Sequence, residues 1–156
     1  MASRRRTLTD AIVSKVNAWP GKPANVEVRR VRNVFTILQD VLAAAAPATI
    51  CVINSAVEDE SGRGGVADNV RIGVVLVAAC DSNAVADSDS WDDTMEALFD
   101  YMRTDAAGFK NITVGSVGAQ RREISQPIVC DAETMDENEA FVSVIDSVYF
   151  ISVSNR

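Results

Sequence analysis

The stretch that most constrains this fold is Ala140 to Val153, where β-branched and aromatic residues (Phe141, Val142, Val144, Ile145, Val148, Tyr149, Phe150, Ile151) fall on both alternating faces. A half-buried strand alternates apolar and polar positions, so a run that is apolar on both faces reads as an interior strand covered on both sides of its sheet. It is preceded by an acidic, Met-bearing segment, Ala132 to Glu139, and by the strand-like Arg121 to Val129. No reactive group sits in the run itself, which makes this third of the chain scaffold.

The rest of the chain supplies partners for such a strand. Leu8, Ile12, Val16 and Trp19 recur at helical spacing behind a capping-box pattern at Thr7 to Asp10, and Pro20 and Gly21 stop them. Val26 to Val31 alternates weakly as a strand. Val34, Ile37, Leu38, Val41, Leu42 and Ala45 form a helical stripe over about 33–46 that Pro47 ends, and a start further upstream is equally allowed. Ala48 to Ser55 and Val70 to Cys80 read as strands. The Gly-rich, charged stretch between them, 56–69, reads as a flexible loop.

Asp81 to Ser90 reads as a polar linker feeding a helix capped by Ser90, with Asp92 and Asp93 complementing its dipole and Trp91, Met95, Leu98, Phe99 and Met102 on one face. Ile112 to Val117 and Arg121 to Val129 read as paired strands around Gly118. These elements predict one α+β domain over 1–156, a largely antiparallel sheet packed against two or three helices, with a flexible N-terminus allowed over 1–6.

Composition excludes more than it identifies. At 156 residues and 47% hydrophobic content the chain can bury a core without staples, and a net charge of −7 argues against a nucleic-acid binder. Arg4, Arg5 and Arg6, then Arg29, Arg30 and Arg32, then Arg121 and Arg122 read as solvated faces or interface pairs. The chain has no histidine, which removes most serine-hydrolase, zinc-hydrolase and proton-shuttle chemistry. Cys51, Cys80 and Cys130 are odd in number and far apart, so they read as buried, inert thiols rather than a disulfide framework or a zinc site.

The start, Ser3 to Leu8, is only superficially an export signal, because Asp10, Ser14, Lys15 and Asn17 interrupt any apolar stretch behind it. The longest apolar run, Ile72 to Cys80, is nine residues, well short of the roughly 20 that a spanning helix needs. No membrane association is expected.

Gly62, Gly64 and Gly65 lack the context of a phosphate loop. Asp81, Asn83, Asp87, Asp89 and Asp92 lack the turn glycine and terminal glutamate of a calcium loop. Glu133, Asp136, Glu137 and Glu139 have no apolar pocket to split their acidities, so they read as an acidic turn open to a basic partner. The expectation is a non-enzymatic chain with no cofactor and no metal.

Taken together, the layout resembles the tail terminator (tail completion, minor tail protein U-like) family of long-tailed bacteriophages. The likeness rests on the helix Asp10 to Trp19, on the strand, long acidic Gly-rich connection and strand of Ile50 to Ala78, and on the helix Trp91 to Met102. It also rests on Cys130-Asp131-Ala132-Glu133 followed by Glu137, Glu139-Ala140-Phe141-Val142-Ser143 and the closing strand. The resemblance implies a virion protein, assembled in the host cytoplasm, whose subunits close into a homo-hexameric ring.

Such a ring caps the tail tube protein, stops its growth and offers its other face to the head-tail connector, while DNA passes through the lumen without specific binding. A head-closure or neck ring is the nearest alternative, and a small monomeric acidic enzyme or regulator a more distant one. On this reading the contacts fall on Glu58, Asp59, Glu60, Arg63 and Asp68 of the connection and on Asp131, Glu133, Glu137 and Glu139 of the acidic turn. Arg29, Arg30 and Arg32 would pair with one of these across the subunit seam.

Overall fold

The computed structural model describes residues 3–32, 48–62, 65–80 and 85–154. The helical stripe expected over 33–46, Arg63 and the start of the polar linker at 81–84 lie outside those residues. Among the described residues, three helices, α1 (Arg4–Asn17), α2 (Val85–Arg103) and α3 (Ala132–Asn138), accompany six strands. The strands are β1 (Val26–Arg30), β2 (Ala48–Gly62), β3 (Gly65–Ala79), β4 (Asn111–Val114), β5 (Val117–Ile128) and β6 (Ala140–Ser154).

They form one mixed, curled sheet in the order β1-β2-β3-β6-β5-β4. Every pairing is antiparallel except β1 with β2, which run parallel with Val26 opposite Ala48. The sheet is therefore largely antiparallel, and the described residues are mostly β with some helix.

β6 lies between β3 and β5, as an interior strand should. Its odd positions, Phe141, Ser143, Ile145, Ser147, Tyr149 and Ile151, are all buried. On the other face only Ala140 and Val142 are, while Val144, Asp146, Val148 and Phe150 are half-buried. The expectation of burial on both sides thus holds for the first turn of the strand only. Beyond it the second face carries a charge, Asp146, paired with Arg71 at 3.4 Å.

The principal core joins the odd face of β6 to Leu8, Ile12 and Val16 of α1, Met95, Leu98 and Met102 of α2, Phe109, and Ile50, Ile72, Val74 and Leu76 of the central strands. Each such side chain contributes about 1.5–3 kcal/mol by leaving water, so packing holds α1 in place more than its own propensity does. Tyr149 is buried here, and its hydroxyl donates to the Phe109 carbonyl at 2.7 Å, which meets the polar atom's requirement for a partner. A second, smaller cluster (Cys51, Val75, Val77, Ala140, Val142) occupies the other face.

Several sequence expectations are corrected. Helix α1 begins a turn earlier than the pattern at Thr7, because Ser3 is the cap: its hydroxyl accepts from the Arg6 amide at 3.2 Å. Arg4, Arg5 and Arg6 are accordingly helical rather than a flexible tail. Over its described residues the connection 56–69 is strand rather than loop. Its backbone continues β2 to Gly62 and β3 from Gly65, in register from Ala56 opposite Arg71 to Gly62 opposite Gly65, and β6 extends alongside as far as Ser154. Backbone pairing, of β2 with β3 and of β3 also with β6, overrides the poor strand propensity of Gly, Asp and Glu.

Helix α2 starts at Val85, so Ser90 is interior to it. The β4–β5 turn is at Gly115, whose φ of 59° suits glycine, and Gly118 lies within β5. The acidic turn is the short helix α3.

Candidate functional site

The charged residues gather into two surfaces on opposite halves of the strand order. The first is a cleft of about 380 Å³ between the N-terminal half of α1 and the end of β1, lined by Ser3, Arg5, Arg6, Thr9, Arg30, Val31, Arg32 and Asn54. The i, i+4 spacing of Leu8 and Ile12 fixes which side of α1 faces the sheet, and so turns Arg5 and Arg6 toward the end of β1.

Two carboxylates answer this basic group. Asp68, buried on β3, lies 3.8 Å from Arg4 and 3.9 Å from Arg5, and Asp10 lies 3.1 Å from Arg30. Among the described residues no ion pair engages Arg6 or Arg32.

The second surface is acidic and partly apolar. At the end of β5, Ile128 is 39% and Val129 50% exposed, and Cys130 beside them is exposed, which corrects the expectation that all three thiols are buried. Partial burial, then the fields of Asp92, Asp131 and Asp136, raise the Cys130 thiol above its ordinary value, which places α2 and α3 carboxylates around it. Asp131 caps α3, accepting from the Thr134 amide at 3.3 Å and hydroxyl at 3.0 Å, while Glu133 and Glu137 are exposed. Glu139 holds the chain in a left-handed bend, φ 52°, and its carbonyl accepts from the Cys80 amide at 2.8 Å.

The residues expected at a subunit seam therefore divide. Asp131, Glu133, Glu137 and Glu139 stay together at one end of β6, with Asp131 and Glu139 also shaping the backbone there. Asp68 and Arg30 make their pairs within the chain, and Arg32 joins the cleft. Arg29 is half-buried beside Cys51, and its charge partly offsets the burial that pushes that thiol up to about 12. For Glu58, Asp59 and Glu60 the structure gives the backbone register, opposite Asn69, Asp68 and Ala67.

What sequence reasoning missed is the convergence of Arg5 and Arg6 with Arg30 and Arg32. The available signal was two arginine clusters in a chain of net charge −7.

A second concavity, about 690 Å³, runs between α1 and the edge strand β4 and includes Lys15, Ile112 and Val114. Among the described residues no group of acidic or cysteine side chains is arranged to hold a metal, and no helix is long and apolar enough to cross a membrane. No family model matches the chain, and comparison with curated proteins gives no match.

Proposed function

We propose that the chain is an assembly protein of the phage tail-terminator type, a non-enzymatic subunit that closes into a ring on the end of the tail tube and ends its growth. The observation that carries this reading is the surface around Cys130: Ile128 and Val129 are exposed next to it in the chain, and Asp92, Asp131 and Asp136 act on its thiol. Exposed apolar side chains close to carboxylates have the make-up of a docking surface for a basic protein partner.

The sheet adds a means of closure. It ends in two unlike edge strands, β1 and β4, and contact between unlike surfaces on successive copies is the geometry from which cyclic rings are built. Stopping polymerisation needs no chemistry: one ring face complements the tube and the other does not. The second face is left for the head-side connector, with DNA passing through the lumen and the assembled ring residing in the virion.

Light scattering over a concentration series, followed by negative-stain imaging with isolated tail tubes, tests this. A ring of about six copies, or a monomer recruited to one tube end, is the expected result, with recruitment lost in an Ile128→Asp/Val129→Asp variant of unchanged circular dichroism. A strict monomer that ignores tubes at high concentration overturns it. Binding to a head connector but not to tubes would move the chain to the neck-ring class.

A further inference from the structure

We infer that the arginine cleft is a binding site for a small phosphate-bearing anion of the pyrophosphate type, an inference that goes beyond the assembly reading and does not depend on it. Counting, among the described residues, the arginines that line the cleft together with the adjoining Arg4, five guanidinium groups face two carboxylates, an excess of three positive charges in a chain of net charge −7. Such a local reversal of sign has no compensating acid among the described residues at Arg6 or Arg32.

The existing pairs yield readily. Arg30 and Asp10 are both largely exposed, at 42% and 57%, and solvent-screened pairs of this kind contribute little. Asp68 is shared between Arg4 and Arg5 at 3.8 and 3.9 Å, too long for a tight fork on either. Guanidinium groups are planar forks that meet phosphate oxygens two at a time, and Asn54 adds an amide donor at the same wall.

Shape and charge choose the size of the ligand. A cleft of about 380 Å³ has room for a pyrophosphate or the diphosphate of a nucleotide, whereas a nucleic-acid strand needs a basic track along the surface. The strongly acidic remainder of the chain repels a polymer of phosphates but not a short one seated inside the cleft.

Isothermal titration of the full chain with inorganic pyrophosphate at low ionic strength is the test, with a nucleoside diphosphate and a single-stranded oligonucleotide as parallel ligands. Pyrophosphate should bind, and Arg6→Gln/Arg32→Gln should weaken it by about tenfold or more, the scale of losing charge-assisted bonds. Arg103→Gln on α2, which removes the same charge away from the cleft, should leave it unchanged. A diphosphate that binds at least as well as pyrophosphate would assign the site to a nucleotide, and one that binds more weakly would assign it to the free anion.

No heat at millimolar pyrophosphate overturns the assignment, as does equal weakening in all the variants. An oligonucleotide that binds the parent more tightly than pyrophosphate, and loses affinity in Arg6→Gln/Arg32→Gln, overturns the choice of a small anion. Circular dichroism of each variant, with Arg6→Lys/Arg32→Lys retaining charge but not the fork, separates misfolding from a lost site.

Discussion

The two faces of the one sheet are built differently. The face toward α1 and α2 buries large side chains (Phe141, Ile145, Tyr149, Ile50, Leu76) against helix residues and Phe109, and it also encloses the β6 hydroxyls of Ser143, Ser147 and Tyr149. On the other face the buried cluster consists of small and β-branched strand residues around Cys51, Val75 and Val142, and higher along β6 that face carries Asp146 and half-buried Val148 and Phe150. The difference teaches that the first face sets stability, while the second combines a modest apolar patch with charge and is the part of the sheet freer to vary.

The largest expected effect separates the faces directly. Ile145→Ala should cost about 3–4 kcal/mol in chemical denaturation, a core deletion with its cavity, against about 1–2 kcal/mol for Val142→Ala on the other face. Equal costs would erase the distinction.

Tyr149→Phe should cost about 1–2 kcal/mol, because it leaves the Phe109 carbonyl without its donor. The same variant sharpens the comparison at alkaline pH. Burial, opposed in part by Arg121, pushes the Tyr149 hydroxyl from about 10 to about 12. In that interval the unfolded chain gives up a proton that the folded chain keeps, so this contribution is whole below pH 10 and is lost as pH rises toward 12. Cys51 behaves likewise on the other face, from about 9 to about 12. Stability of the parent should fall across this range, and Tyr149→Phe should remove the tyrosine's share of the fall.

A smaller change of opposite sign is expected from Ser147→Ala. The Ser147 hydroxyl is buried with no hydrogen-bond partner among the described residues, so its removal should stabilise by about 1 kcal/mol. Loss of stability there would mean that the hydroxyl is satisfied. The weakest perturbation is chemical labelling of thiols in the folded chain at pH 7–8. Cys130, though exposed, should react slowly, its thiolate disfavoured by partial desolvation and the surrounding acids, and Cys51 and Cys80 should react only on unfolding. Labelling of Cys51 at the rate of Cys130 would show the second face to be open.

How much of this was legible in the sequence depended on whether side chains or backbone decide the local structure. Where apolar periodicity decides, as in α1, the Met95 to Met102 stretch of α2, the first halves of β2 and β6 and most of β3, the pattern alone places the element. The segment 56–69 was read as a loop because Gly62, Gly64, Gly65 and the acids around them disfavour strands, whereas pairing of β3 to both β2 and β6 makes the backbone the deciding partner. Helix α2 began earlier than expected because Asp87, in its first turn, suits a helix start as well as it suits a linker.

At the candidate surfaces the acids 131–139 are neighbours in sequence and were found together. The four arginines of the cleft are not, and only the docking of α1 against the sheet makes them one group.

The place of β6 has a consequence in time. It is synthesised after both β3 and β5, yet it sits between them, in register with β3 from Ala79 opposite Ala140 to Gly65 opposite Ser154. While the ribosome is still making residues 140–154, those two earlier strands have no central partner, and each offers an open edge to any other chain nearby. The risk of misassembly thus lasts until residues 140–154 have been made and inserted, the interval in which a chaperone that shields strand edges would matter most.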